Sequence, residues 1–191
     1  PTSLHARRHY LRTMKSTLTT LFLLMFLASV AAGDIFSQAA FTDGKAAGLS
    51  QKQIGDLKKL KAAVGVPTYL PAGFKLHEAV IEEPPAPEIV GYTLAYRNSK
   101  GRTFTIQSVN DGIGDVSTPQ AYGRNPYFDG RVQAGYSMDE ERSLFVSWIG
   151  SLKRYQPKDT LQQWYSLVAD RGDITLREAV KVMASLRYLK R

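Results

Sequence analysis

The chain contains no cysteine. That absence excludes thiolate nucleophiles, CxxC redox chemistry, cysteine-bound zinc and iron–sulfur clusters together, and any fold must be held by its core without disulfides. It also excludes a lipid anchor of the kind attached to a cysteine at a signal cleavage site. Histidine is nearly as scarce, with three in all, and His5 and His9 lie at the extreme N-terminus. His77 is then the only one in the body of the chain. Lacking a nearby His, Cys or carboxylate pair, it reads as solvent-facing or structural rather than metal-ligating. No G-x-S-x-G is present, so no nucleophile elbow supplies the serine of a triad. Long apolar runs are missing too: the most marked, Leu21 to Val30, is about half of the ~20 residues that span a bilayer.

That short run is arranged as an export signal. Met14 to Ala32 places Lys15 beside Met14, then the apolar segment, then small residues at Ser29-Val30-Ala31 and Val30-Ala31-Ala32 that a signal peptidase reads. Cleavage near residue 32 is expected, with Ser37-Gln38-Ala39 as a later option, and no stable membrane span after it. Residues 1–13 precede the better start at Met14 and read as an upstream extension. Residues 33–50, rich in Ala, Gly, Ser and Asp without periodicity, read as a flexible leader, and 51–191 as one α+β domain. Half of the net charge of +8 belongs to the N-terminus. Four of the 25 Lys and Arg (Arg7, Arg8, Arg12, Lys15) precede the apolar run, so the remainder carries 21 against 17 Asp and Glu, a net of +4. A charge of that size, without clustered Lys or Arg, argues against a nucleic-acid partner.

Local patterns organise the remainder. Ser50 and Gln53 have capping-box spacing, with Ile54 and Leu57 following at helical intervals, which predicts a helix over about 51–63. Phe74–Glu82, Val90–Arg97 and Thr103–Val109 alternate with period two in β-branched and aromatic company and predict strands. Asn98-Ser99-Lys100-Gly101 joins the last two as a hairpin turn. Strands are expected again at about 131–137 and at Ser143–Trp148. Thr160–Ala169 fits helix or strand and leans to strand. Thr175 and Glu178 cap a C-terminal amphipathic helix whose stripe runs Leu176, Val180, Met183, then Leu186 or Arg187. The expected fold is α+β: a small, mostly antiparallel sheet with an N-terminal helix and the amphipathic C-terminal helix packed on it.

Pro67-Thr68-Tyr69-Leu70-Pro71-Ala72-Gly73-Phe74, Tyr92-Thr93-Leu94-Ala95-Tyr96-Arg97-Asn98, Gly112-Ile113-Gly114-Asp115 and the closing Thr175-Leu176-Arg177-Glu178-Ala179-Val180 with Ser185-Leu186-Arg187 make the chain resemble bacterial extracytoplasmic domains of the DUF4367 kind, in particular exported cyanobacterial proteins. The resemblance spans most of residues 65–187. It implies a small sheet with a C-terminal helix, in an exported and sometimes sensor-associated module, and it carries over no catalytic residue.

Candidate sites fall in the long stretch between residues 110 and 130. Asp111 and Asp115 among glycines offer carboxylates to a cation or a sugar hydroxyl, without the closing Glu of an EF-hand. Tyr122, Arg124, Tyr127 and Phe128 offer a stacking surface for a glycan, peptide or partner protein. Asp139-Glu140-Glu141 is the pattern of a solvated turn. No cofactor and no metal site is expected. The chain therefore reads as an exported binding, sensor or accessory module of the cell envelope, in periplasm or outside the cell, or in the thylakoid lumen if cyanobacterial. The rival is an envelope polymer hydrolase that pairs Asp111 or Asp115 with a carboxylate of 139–141 across roughly 5–9.5 Å. A purely structural envelope protein is the third reading.

Overall fold

Two capping boxes start the two α-helices of the described residues. Ser50 Oγ accepts from the Gln53 backbone N–H (3.3 Å) while Gln53 Oε1 accepts from the Ser50 N–H (2.9 Å), opening α1, Gln51–Lys59. Thr175 and Glu178 repeat the device at α2, Leu176–Ala184. Each box satisfies donors that a helix start otherwise leaves free. The Thr175 backbone N–H and hydroxyl, donating to Glu178, hold its carboxyl below the usual carboxylate range. Both helices belong to a computed structural model of the chain, which describes residues 38–82, 90–110, 116, 118–137 and 143–191. The segment 14–32 lies outside the described residues. No helix of the described residues is long and apolar enough to cross a membrane.

Both helices end earlier than periodicity predicts, because remote chain competes for their last residues. After Leu60 the chain turns to meet the segment at Leu161: Leu161 N–H donates to Lys61 O (2.7 Å) and Ala63 N–H to Leu161 O (3.2 Å). After Ser185 the chain runs directly into a strand, β11, Leu186–Leu189, where the amphipathic stripe had placed more helix.

Strand β11 is the centre of a three-stranded sheet, parallel to β1 (Phe41–Thr42) and antiparallel to β2 (Gly65–Pro67). The expected leader is thereby corrected from Ala40 onward. Ala40 and Ala47 are fully buried, and Gly44 turns with φ 83°, where a Cβ would lie 2.9 Å from Leu189 Cδ1. A two-residue strand and a glycine turn leave no periodic signature, so composition alone reads them as flexible.

Among the described residues the main sheet has eight strands, β3 (Lys75–Glu82), β4 (Gly91–Arg97), β5 (Thr103–Val109), β6 (Ala121–Arg124), β7 (Phe128–Asp129), β8 (Arg131–Tyr136), β9 (Leu144–Ser151) and β10 (Trp164–Ala169). Their order is β3-β4-β5-β10-β9-β8-β6, with β7 on β9, and the pairs are antiparallel. The ambiguous 160–169 segment resolves as strand because β10 inserts between β5 and β9 and is hydrogen-bonded on both sides.

Register aligns the core into rows across the sheet. Leu94, Ile106, Leu167, Val146, Ala134 and Ala121 form one; Tyr92, Ser108, Tyr165 and Ile149 form the next. Helix α2 lies on this face against β6, β8, β9 and β10. Its approach requires small residues: a Cβ on Gly123 would sit 2.5 Å from Val180 Cγ1. Helix α1 contributes Ile54 and Leu57 to the same core.

Buried tyrosines tie the two sheets together. Tyr92 Oη donates to Gly65 O (2.6 Å) and accepts from Gly65 N–H (2.7 Å), and Tyr165 Oη donates to Ala63 O. Burial raises both phenols above their ordinary pKa. Tyr96 is equally buried, yet its hydroxyl has no hydrogen-bond partner among the described residues. Tyr96→Phe is therefore expected to stabilise the protein by roughly 1 kcal/mol, since it removes an unsatisfied buried group and keeps the ring. Urea unfolding checks the sign, and a loss of stability would mean that the hydroxyl is bonded.

Candidate functional site

Of the six residues singled out from the sequence, Asp111 and Asp115 lie outside the described residues, as do the carboxylates of 139–141 that a hydrolase reading needs. The other four separate into two pairs. Tyr122 and Arg124 are exposed on the same face of β6, Tyr122 at 63%, its hydroxyl donating to Pro119 O (3.3 Å).

Tyr127 and Phe128 are buried, at 8% and 3% exposure, and do not join the other pair in a stacking surface. Phe128 stacks on Tyr188 (4.6 Å between centroids) and meets Tyr165 edge-on (5.0 Å). Tyr127 meets Tyr155 edge-on (5.3 Å) and lies 4.4 Å beneath the Arg187 guanidinium. The reason is tertiary. Strand β7 pairs with β9, which folds this loop inward, and Asn125 clamps its base. Asn125 Nδ2 donates to Met183 O (3.1 Å) and Leu186 O (3.0 Å), while its Oδ1 accepts from Tyr127 N–H (3.0 Å). A polar residue in a glycine-rich stretch gives no hint of such burial.

Strand pairing adds a residue that sequence reading missed. Arg124 stands directly opposite Arg131, and Tyr122 opposite Gln133. Directly opposed residues of an antiparallel pair project to the same face, with Cβ atoms about 5 Å apart. The alternate positions, Gly123 and Val132, occupy the face under α2, so both arginines are turned away from it. Among the described residues, the ion pairs are Lys45–Asp43, Lys52–Asp56 and Lys59–Asp56. Neither arginine has a carboxylate partner there. Arg131 was detectable in principle as the first residue of an expected strand, but 121–124 carried no strand signal to set it against.

Concavities flank the sheet. One, of about 250 Å³, lies between the Asn98–Arg102 turn and the start of α2. Several of its polar groups are already used: Asp173 Oδ2 accepts from Thr103 N–H (2.6 Å), Asn98 Oδ1 accepts from Lys100 and Arg102 N–H, and Glu178 closes the α2 cap. Another, of about 370 Å³, is a groove between α1 and β3, with Leu57, Leu60, Ala79 and Ile81 as its apolar lining and Lys52, Asp56 and Lys59 at its rim. Asp56 accepts from both lysines (3.0 and 2.8 Å), which lowers its pKa. No cluster of three or more metal-ligating side chains occurs among the described residues.

No family model matches the chain, and no curated protein matches it. Among solved structures it is similar to the crystal structure of MucB in complex with MucA(peri), at 16% sequence identity and a TM-score of 0.37. The match covers 66% of this chain and 37% of that chain. A likeness of that size carries no functional argument.

Proposed function

We propose that the domain is a non-catalytic binding module of an exported compartment, and that it captures an extended polypeptide segment along the free edge of β3. The observation that carries this is the pairing of β3: an eight-residue strand that, among the described residues, is hydrogen-bonded to β4 alone, beside the apolar groove under α1. An unpaired strand edge presents backbone donors and acceptors to an incoming strand, and adjacent pockets select alternate side chains. The register of β3 shifts at His77, between Leu76 and Glu78, so the regular stretch next to the groove is Ala79–Ile81. Val80 and Ile81 are exposed there, Ile81 at 38% although it shares a face with the core row of Tyr92.

Charge defines the occupant further. Helix α1 carries Lys52, Lys58 and Lys59 against one carboxylate, Asp56. The segment that fits has apolar side chains at alternate positions and carboxylates facing the helix. The order of Lys15, apolar run and small residues over 14–32, together with the resemblance to extracytoplasmic domains of the DUF4367 kind, supports the exported compartment.

A labelled peptide of alternating Val and Glu is the direct probe. It is expected to bind saturably and to perturb the amide resonances of Ala79–Ile81 and of α1. Ile81→Lys should weaken binding about tenfold or more, as truncating a central anchor does, with little change in Tm. Equal binding of a scrambled peptide, or perturbations confined to β6 and β8, overturns the reading.

A further inference from the structure

We infer that the face of β6 and β8 turned away from α2 is a second binding site, one for a carboxylate-bearing polysaccharide of the polyuronate class, with Arg124 and Arg131 gripping carboxylates and the Tyr122 ring supporting a sugar face. The inference starts from a local conflict. Like charges directly opposite each other on a sheet destabilise the pairing. Here two exposed arginines oppose each other where the four-residue edge strand β6 pairs with β8, and no carboxylate among the described residues relieves them. An anionic ligand between them turns that repulsion into two charge-assisted contacts, for which the guanidinium fork suits a carboxylate.

The neighbouring side chain narrows the class of anion. Tyr122 lies two positions along the same strand, on the same face, about 7 Å away at the backbone spacing of a strand. It is 63% exposed, and the bond to Pro119 O restrains its ring. An aromatic platform beside paired guanidinium groups matches a polymer that alternates apolar C–H faces with carboxylates. Successive uronates present both at spacings of the order of the cross-strand distance. The site is an open sheet face rather than a groove, and β6 offers only Ala121–Arg124 for strand addition. That favours a glycan lying across side chains over an acidic peptide held by its backbone.

The test uses oligogalacturonate, uncharged oligogalactose and poly-glutamate as probes, with binding read by calorimetry at two salt concentrations and Tm measured in parallel. Oligogalacturonate is expected to bind the wild-type protein, more weakly at high salt, and uncharged oligogalactose is expected not to bind. Arg131→Glu should lose about tenfold or more in affinity, the scale of one charge-assisted contact, and yet show a raised Tm, because the introduced carboxylate would then face Arg124 with opposite charge. A merely structural arginine would lower Tm on replacement. Tyr122→Ala should weaken oligogalacturonate binding as well. Lys158→Glu, the same charge change at an exposed residue outside this face, should bind as wild type does. Equal losses in Lys158→Glu and Arg131→Glu would reduce the effect to net charge and overturn the site. Poly-glutamate binding as tightly as oligogalacturonate, with Tyr122→Ala unaffected, would overturn the glycan assignment. Neither result bears on peptide capture at β3, which lies at the other end of the sheet order.

Discussion

Replacing Asn125 by Asp is expected to destabilise the protein by roughly 3–5 kcal/mol at neutral pH, the cost of an uncompensated buried charge. The substitution barely changes shape. It exchanges an amide that donates to two carbonyl oxygens, Met183 O and Leu186 O, for an anion held against them, at a residue only 1% exposed. Because the folded state disfavours the ionised form, the introduced carboxyl acquires a folded pKa above its unfolded value. Its protonated form suits the fold, so the deficit relative to wild type is full above the raised pKa and shrinks as pH falls through it. Urea unfolding of both proteins at neutral pH and in mild acid measures this. Equal stability at neutral pH would overturn the clamp, since it would mean that donation from Asn125 to these two carbonyl oxygens contributes nothing to the fold. The same clamp holds the loop between β6 and β7, so the variant also probes what keeps Arg124 opposite Arg131.

Phe104→Ala should cost about 3–5 kcal/mol, the range for emptying a buried aromatic site. Phe104 is 1% exposed and stacks on Tyr96, with centroids 4.8 Å apart and planes inclined by 13°. Phe74 meets it at 5.1 Å with a tilt of 53°. The three rings come from β5, β4 and the turn that opens β3, so their contacts close the β3 end of the sheet from one side. Deleting the central ring removes contacts from both neighbours, and rigid strands cannot collapse into the space. The expected readout is a lower urea midpoint with an unchanged m-value. A loss below about 1 kcal/mol would mean that the site relaxes freely and that this corner is not close-packed. The contrast with Tyr96→Phe is informative, because one variant deletes packing and the other deletes only an unpartnered hydroxyl in the same stack.

Local chemistry decided much of this fold, and those parts were legible. Thr103–Val109 alternates cleanly because one face is buried and the other is not, and it forms β5 over the residues expected. Ser50 with Gln53, and Thr175 with Glu178, cap their helices through groups three residues apart, which no tertiary context is needed to bring together. The Asn98–Gly101 turn likewise makes β4 and β5 antiparallel neighbours. Absent cysteine and scarce histidine narrowed the chemistry through composition alone.

What the sequence determined by itself was therefore the class of fold, the helix starts and the central strands, and it grouped Tyr122, Arg124, Tyr127 and Phe128 as one candidate surface. The tertiary structure alone decided that residues from Ala40 join a second sheet, that β10 divides β5 from β9, that α2 yields to β11, and that Tyr127 and Phe128 turn inward while Arg131 arrives opposite Arg124. The physical reason is one of range. Caps, turns and alternation are settled within a few residues, whereas a two-residue strand, an inserted strand or a cross-strand charge pair exists only once distant chain supplies its hydrogen bonds and its burial.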